Sequence, residues 1–168
     1  MWHGREPGCA WAREIAEAAG VRVVNVENGL LPQAGNYHLD PAGIGSKSSL
    51  MGSLDWVTDG MVDTYRTYRD AHFAGKGWKY TAGGGFVLVP LQMENDASIY
   101  LDSPWPTMQA FVDHVRTLTD KPIVVRPHPK AKGQTVTGEG VTVETTRSTM
   151  VLAQTADEVI GINSTVLI

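Results

Sequence analysis

The second half of this chain predicts an α/β fold: a Rossmann-type parallel sheet with helices on both faces. Three observations point there. Short, continuous apolar runs rich in β-branched residues occupy 86–91, 123–125, 141–143 and 159–162, amphipathic segments separate them, and polar residues able to do chemistry sit just beyond the runs. With 168 residues and 42% hydrophobic content the chain can bury a core.

Along the chain, residues 9–19 set Ala10, Ile15, Ala16 and Ala19 among charges at helical spacing, and Gly20 stands where a helix C-cap would. The β-branched run 21–26 predicts a strand closing on Glu27-Asn28-Gly29, which places a carboxylate in the loop at its C-terminal end. From 30 to 54, Pro32, Gly35, Pro41, Gly43, Gly45 and several serines hold no lasting period, and loops of this length are often functional. Asp59 is a candidate cap for a helix carrying Met61, Val62, Tyr65 and Tyr68.

The glycine-rich stretch 74–85 then reads as a linker. Gly83-Gly84-Gly85 precedes a strand instead of joining a strand to a helix, so it is no dinucleotide fingerprint and reads as a hinge. Run 86–91 opens a β-α-β unit, whose helix begins at Pro106 and carries Met108, Phe111, Val112 and Val115, and whose second strand is 123–125. A strand at 141–143, a short helix capped by Ser148 through Val151 and Leu152, and a last strand at 159–162 complete the pattern. The chain thus divides into 1–73, a linker 74–85 and a strand-and-helix region 86–168.

The net charge of -4, with Lys and Arg scattered singly, supplies no basic stripe and excludes a surface that tracks nucleic acid. Cys9 is the single cysteine, which excludes an internal disulfide framework and fits a reducing, cytoplasmic setting. No apolar run reaches membrane-spanning length. His3, His38, His72 and His114 show no metal-ligand spacing with one another or with Cys9, so no metal site is expected, and Asp157-Glu158 reads as a solvated helix end.

In parallel sheets ligands bind beyond the carboxyl ends of the strands, where helix N-termini present free N–H groups. His128 falls there, between Pro127 and Pro129, whose fixed φ angles hold the imidazole in one direction; the alternative is a solvated surface turn. Arg126 beside it has the fork geometry for a phosphate. Asn163-Ser164-Thr165 ends the last strand, where hydroxyls and amides can donate to the same anion or merely cap a helix. Glu27 has the chemistry of a general base if a second domain faces it across a cleft, and is otherwise a solvated loop carboxylate. Gln92, Glu94 and Asp96 follow a strand and are candidate substrate contacts, as are Asn28 and Gly29.

The ordered segments VENGLLP, HLDPAGIGSKSSL, VLVPLQMENDASI, IVVRPHP and GINSTVLI resemble the bacterial capsule polysaccharide biosynthesis glycosyltransferases, the group that includes Kdo-transferases. The resemblance runs from about residue 21 to the end and implies a GT-B architecture of two Rossmann-like domains. It implies a metal-independent, inverting enzyme that uses a CMP-activated sugar as its nucleotide-sugar donor, with no other cofactor, and a glycan or glycolipid acceptor. Peripheral association with the inner membrane or a capsule assembly complex goes with it. The family's acidic-acidic-Gly motif falls on Glu27-Asn28-Gly29, making Glu27 the base and leaving Asn28 as a departure from the second acid. Its His-Pro motif falls on His128-Pro129 and its Ser-Thr motif on Ser164-Thr165, both directed at the donor phosphate. The length leaves room for little more than one domain, so the resemblance implies a GT-B-like chain incomplete at both ends, with 1–73 the remnant of the acceptor-side domain and 86–168 a truncated nucleotide-sugar domain. A CDP-glycerol-type glycerophosphotransferase and a non-catalytic nucleotide-binding module are the competing readings.

Overall fold

The computed structural model describes residues 7–29, 35–75, 81, 83–164 and 167. The chain forms two compact units, Met1–Ala74 and Gly75–Ile168.

In the first unit, α1 (Pro7–Ala18) ends as its sequence predicts. Gly20 takes a φ of 72°, its N–H meets the Glu17 carbonyl at 3.0 Å, and the Val21 N–H reaches the Ala16 carbonyl at 2.8 Å. This is the paired closure in which glycine tolerates the left-handed turn. Strands β1 (Asn25–Asn28) and β2 (Tyr37–Asp40) then pair antiparallel. The strand expected at 21–26 therefore lies further on, and Glu27 sits within it, opposite His38, instead of in a loop at its end. A strand is made by its partner more than by propensity. Here the partner is concealed in sequence because Tyr37 and Leu39 are the exposed residues while His38 and Asp40 point inward, which inverts the usual hydrophobic alternation. The described strands of this unit form no parallel, Rossmann-like sheet.

Two 3-10 turns, Gly45–Lys47 and Ser49–Met51, occupy the stretch expected to be loop. Helix α2 (Asp59–Phe73) is capped by Thr58, whose hydroxyl accepts the Met61 N–H, one residue before the expected Asp59. Among described residues α1 and α2 bury no side chain fully, and Trp11, Met61, Tyr65 and Tyr68 stay exposed.

The second unit contains β3 (Val87–Pro90), α3 (Ala97–Asp102), α4 (Met108–Arg116), β4 (Ile123–Arg126), β5 (Val141–Val143), α5 (Thr149–Thr155) and β6 (Glu158–Val159). Its four described strands are all parallel, in the order β5-β4-β3-β6. Every residue of β3 is buried, as a central strand covered on both sides requires. Val87, Val89 and Leu91 pack on one face with Ile123, Val125, Ile99 of α3, and Met108, Phe111, Val112 and Val115 of α4. Phe86 and Leu88 pack on the other with Leu152 and Ala156 at α5. Each large apolar side chain so buried contributes about 1.5–3 kcal/mol.

The glycines before β3 are held, which corrects the hinge reading. The Gly83 and Gly85 amides donate to the Asp157 carboxylate at 3.0 and 3.3 Å, and the Gly84 amide donates to the Thr155 carbonyl at 2.9 Å. Lys121 closes the arrangement with an ammonium 3.0 Å from Asp157, and chiefly for that reason the Asp157 carboxyl lies below the usual carboxylate range despite partial burial. Asp157 is thus a structural anchor and not a solvated helix end.

Candidate functional site at the carboxyl edge of the parallel sheet

From β3 the chain moves outward through β4 and β5, then returns to the opposite side of β3 as β6. The strand order reverses between β3 and β6, and the crevice beyond the carboxyl ends of such a pair is where open α/β sheets take ligands. Four described segments reach this edge: Leu91-Gln92 after β3, Pro127-His128 after β4, the turn from Glu144 after β5, and residues 160–164 after β6.

His128 is held by its own turn. The Lys130 amide donates to Nδ1 at 3.2 Å, the Ala131 amide to the His128 carbonyl at 2.9 Å, and the His128 amide donates to Gln134 Oε1 at 3.1 Å. An amide N–H meets only an unprotonated ring nitrogen, so the neutral ring carries its proton on Nε2. Pro127 has no N–H and leaves the ladder after Arg126, while exposed Pro129 fixes the turn. The half-buried imidazole therefore has Nε2–H as its remaining donor.

Gln134 extends the link. Its Nε2 donates to the Gln92 carbonyl at 2.8 Å, so one amide side chain joins the ends of β3 and β4. The Leu91 amide bonds the Arg126 carbonyl at 2.9 Å, and the Gln92 amide meets Met108 Sδ at 3.3 Å. Gln92 thus enters the site through its backbone. Asp96 has a local role: its carboxylate accepts the Ser98 amide at 2.8 Å and caps α3, an element that the sequence pattern did not suggest. Glu94, likewise, accepts the Met108 amide at 2.8 Å at the start of α4.

Arg126 departs from the expected phosphate fork. Its Nη1 donates to the Glu144 carbonyl at 2.9 Å, and its Nε is buried with no hydrogen-bond partner among the described residues. Glu144 itself, held well below the usual carboxylate range by the Thr146 hydroxyl, the Arg147 guanidinium and the amides of both, organises the turn into α5.

After β6, Asn163 is exposed and Ser164 half-buried, and the Ser164 carbonyl accepts the Leu167 amide at 3.0 Å. Thr165 lies outside the described residues. A Cβ placed on Gly161 would sit 3.5 Å from the Pro90 ring, so this segment passes directly beside the end of β3.

Glu27, Asn28 and Gly29 belong to the other unit. Half-buried Glu27 pairs across the ladder with His38, exposed Asn28 pairs with Tyr37, and the Gly29 amide bonds the Asn36 carbonyl at 2.7 Å. Beside them lies a cluster that sequence reading missed. The 1% exposed Asp40 carboxylate accepts from the Ala42 amide at 2.8 Å, the Ser48 hydroxyl at 2.8 Å, and the Ser49 amide and hydroxyl at 2.7 and 2.8 Å. Burial alone would raise its carboxyl, but these donors outweigh it and hold it well below the usual range. Asp-Pro followed by closely spaced serines was the only available signal, and it fits any turn. Among the described residues no three His, Cys, Asp or Glu side chains gather in a way that could hold a metal ion.

No protein family model matches the chain. It is similar to Protein FixF of Sinorhizobium fredii, with 30% identity over an aligned 168 residues that take in 90% of this chain. The chain spans 41% of the length of that curated relative.

Proposed function

We propose that the chain is part of a capsule or surface polysaccharide glycosyltransferase, moving a sugar such as Kdo from a CMP-activated donor to a glycan or glycolipid acceptor with inversion and without a metal. The observation that carries this reading is the His128 ring, whose Nδ1 is engaged by the Lys130 amide so that Nε2–H is left to donate at the carboxyl edge of the sheet. A donor there stabilises the charge that grows on a departing phosphate. Ser164, on the segment beside the end of β3, is the second proposed phosphate contact, and Thr165 the third. Arg126, whose Nη1 is engaged by the Glu144 carbonyl, is proposed to add its positive charge on the donor side.

In a single inverting displacement the acceptor oxygen bonds to the anomeric carbon, the bond from that carbon to the phosphate oxygen breaks, and CMP leaves with the electron pair. The acceptor proton goes to a base, for which Glu27 is proposed. No described helix is long and apolar enough to cross a membrane. A cytoplasmic position, with peripheral attachment to the inner membrane or a capsule assembly complex, belongs to the same proposal.

The test is calorimetric titration of CMP and CMP-Kdo into the chain and into His128→Ala, together with an assay of CMP release. His128→Ala should weaken CMP binding about 10-fold or more, the size of a hydrogen bond to a charged group. Unchanged affinity refutes the donor role. Transfer of glycerol phosphate from CDP-glycerol, which also frees CMP, with no CMP released from CMP-Kdo would instead establish the glycerophosphotransferase, and CMP binding with turnover of neither donor a binding module.

A further inference from the structure

The register of β1 and β2 sets two polar cross-strand pairs side by side, Asn25 opposite Asp40 and Glu27 opposite His38. Residues two apart on a strand share a face, so all four side chains leave the hairpin on the same side. A buried carboxylate kept ionised by hydrogen bonds still favours a cation beside it. The imidazole of His38 lies beside it, with Nε2 3.4 Å from Asp40 Oδ2 and 3.4 Å from Ser48 Oγ, and its side chain 31% exposed.

Ser, His and Asp together invite comparison with a nucleophilic triad, and the hydrogen bonds exclude it. Ser48 Oγ donates to Asp40 at 2.8 Å and accepts the Leu50 amide at 3.1 Å as the cap of the turn Ser49–Met51, so its proton and a lone pair are both committed away from the imidazole. The Asp40 charge favours a proton on Nε2 of His38, which leaves the Nδ1 lone pair for a second partner. The residue opposite His38 on the ladder is Glu27.

We infer that His38 is a positioning residue that takes on the proton which Glu27 collects from the acceptor, with Asp40 stabilising the resulting imidazolium. The step rests on the proposed transferase reading. The acceptor O–H bond breaks as Glu27 gains the proton, the proton then passes to Nδ1 of His38, and Glu27 returns to its ionised state. The partly exposed ring loses the proton to water.

Two measurements test this. Nitrogen-15 NMR of the intact chain should place the proton of neutral His38 on Nε2, and a proton on Nδ1 overturns the pairing whether or not the chain turns over. In the CMP-release assay, His38→Ala and His38→Gln should both lower kcat by roughly 10²-fold, with KM for the donor unchanged. Glutamine can orient a neighbour but accepts no proton, so a His38→Gln variant that keeps wild-type kcat reduces His38 to a structural contact and overturns the proton step. Both variants leave the four donors to Asp40 intact, and circular dichroism checks that they fold. A wild-type chain that neither binds CMP nor releases it overturns the transferase reading and the proton step together, whereas CMP release that survives both His38 variants removes only the latter.

Discussion

Gln134 ties His128 to the neighbouring strand end, accepting the His128 N–H at 3.1 Å through Oε1 while its Nε2 donates to the Gln92 carbonyl at 2.8 Å. Only a side-chain amide offers both an acceptor and a donor in this geometry. The turn that aims the imidazole is therefore referenced to β3 as well as to β4.

Replacing Gln134 by Ala should leave the sheet folded and weaken CMP binding about 5- to 10-fold, the net value of one or two neutral hydrogen bonds. Gln134→Glu keeps an acceptor for His128 but sets a carboxylate against the Gln92 carbonyl, so it should lose as much or more. Calorimetry with CMP checks both. Wild-type affinity in Gln134→Ala would show that the turn 127–131 holds His128 unaided.

The glycines ahead of β3 make a second prediction. A Cβ on Gly84 would lie 2.5 Å from the Thr155 carbonyl oxygen and 2.6 Å from the Phe86 ring, distances that force backbone or core to move. Gly84→Ala should cost about 1–3 kcal/mol, the usual penalty for overpacking. Urea unfolding of the second unit reads it, and a variant as stable as wild type would restore the hinge reading of this segment.

Much of the second unit was legible because its strands are buried on both faces, so that Val87, Leu88 and Val89 stand as an unbroken apolar run that no helix period explains. The position of His128 just past a strand end was legible too, since flanking prolines mark such an end. What sequence could not disclose were links between distant residues: Gln134 to Gln92, Asp157 to Gly83, and the Asp40 cluster with Ser48 and Ser49. Each is made by a polar side chain that is common in loops and becomes distinctive only through its partner. The hairpin failed for a related reason, because its inward residues are Asn25, His38 and Asp40 and a search for apolar alternation passes over them.

Asp40 gives the first unit a defined response to acid. Its carboxyl sits below the ordinary range when folded, so the stability it confers is fully present above the unfolded value of about 4 and is lost as pH falls from there toward the folded value. Urea midpoints of wild type should therefore fall below about pH 4. Asp40→Asn places an amide N–H₂ among donors from Ala42, Ser48 and Ser49, so it should lower the midpoint at neutral pH and flatten its acid dependence. An acid dependence equal to wild type in Asp40→Asn would assign the transition to other carboxylates.

Asp96 separates a structural role from a ligand-binding one near the site. Its carboxylate accepts the Ser98 amide at 2.8 Å, and the Asp96 carbonyl accepts the Ile99 amide at 2.9 Å, so the residue starts α3 with both side chain and backbone. That helix delivers buried Ile99 to the same core as Val89, Leu91 and Met108. Asp96→Ala should cost about 0.5–2 kcal/mol, as cap removal does, and Asp96→Asn much less because asparagine caps nearly as well. CMP affinity should be unchanged in both. A loss of affinity in Asp96→Asn at wild-type stability would instead mean that the carboxylate's charge acts on the ligand.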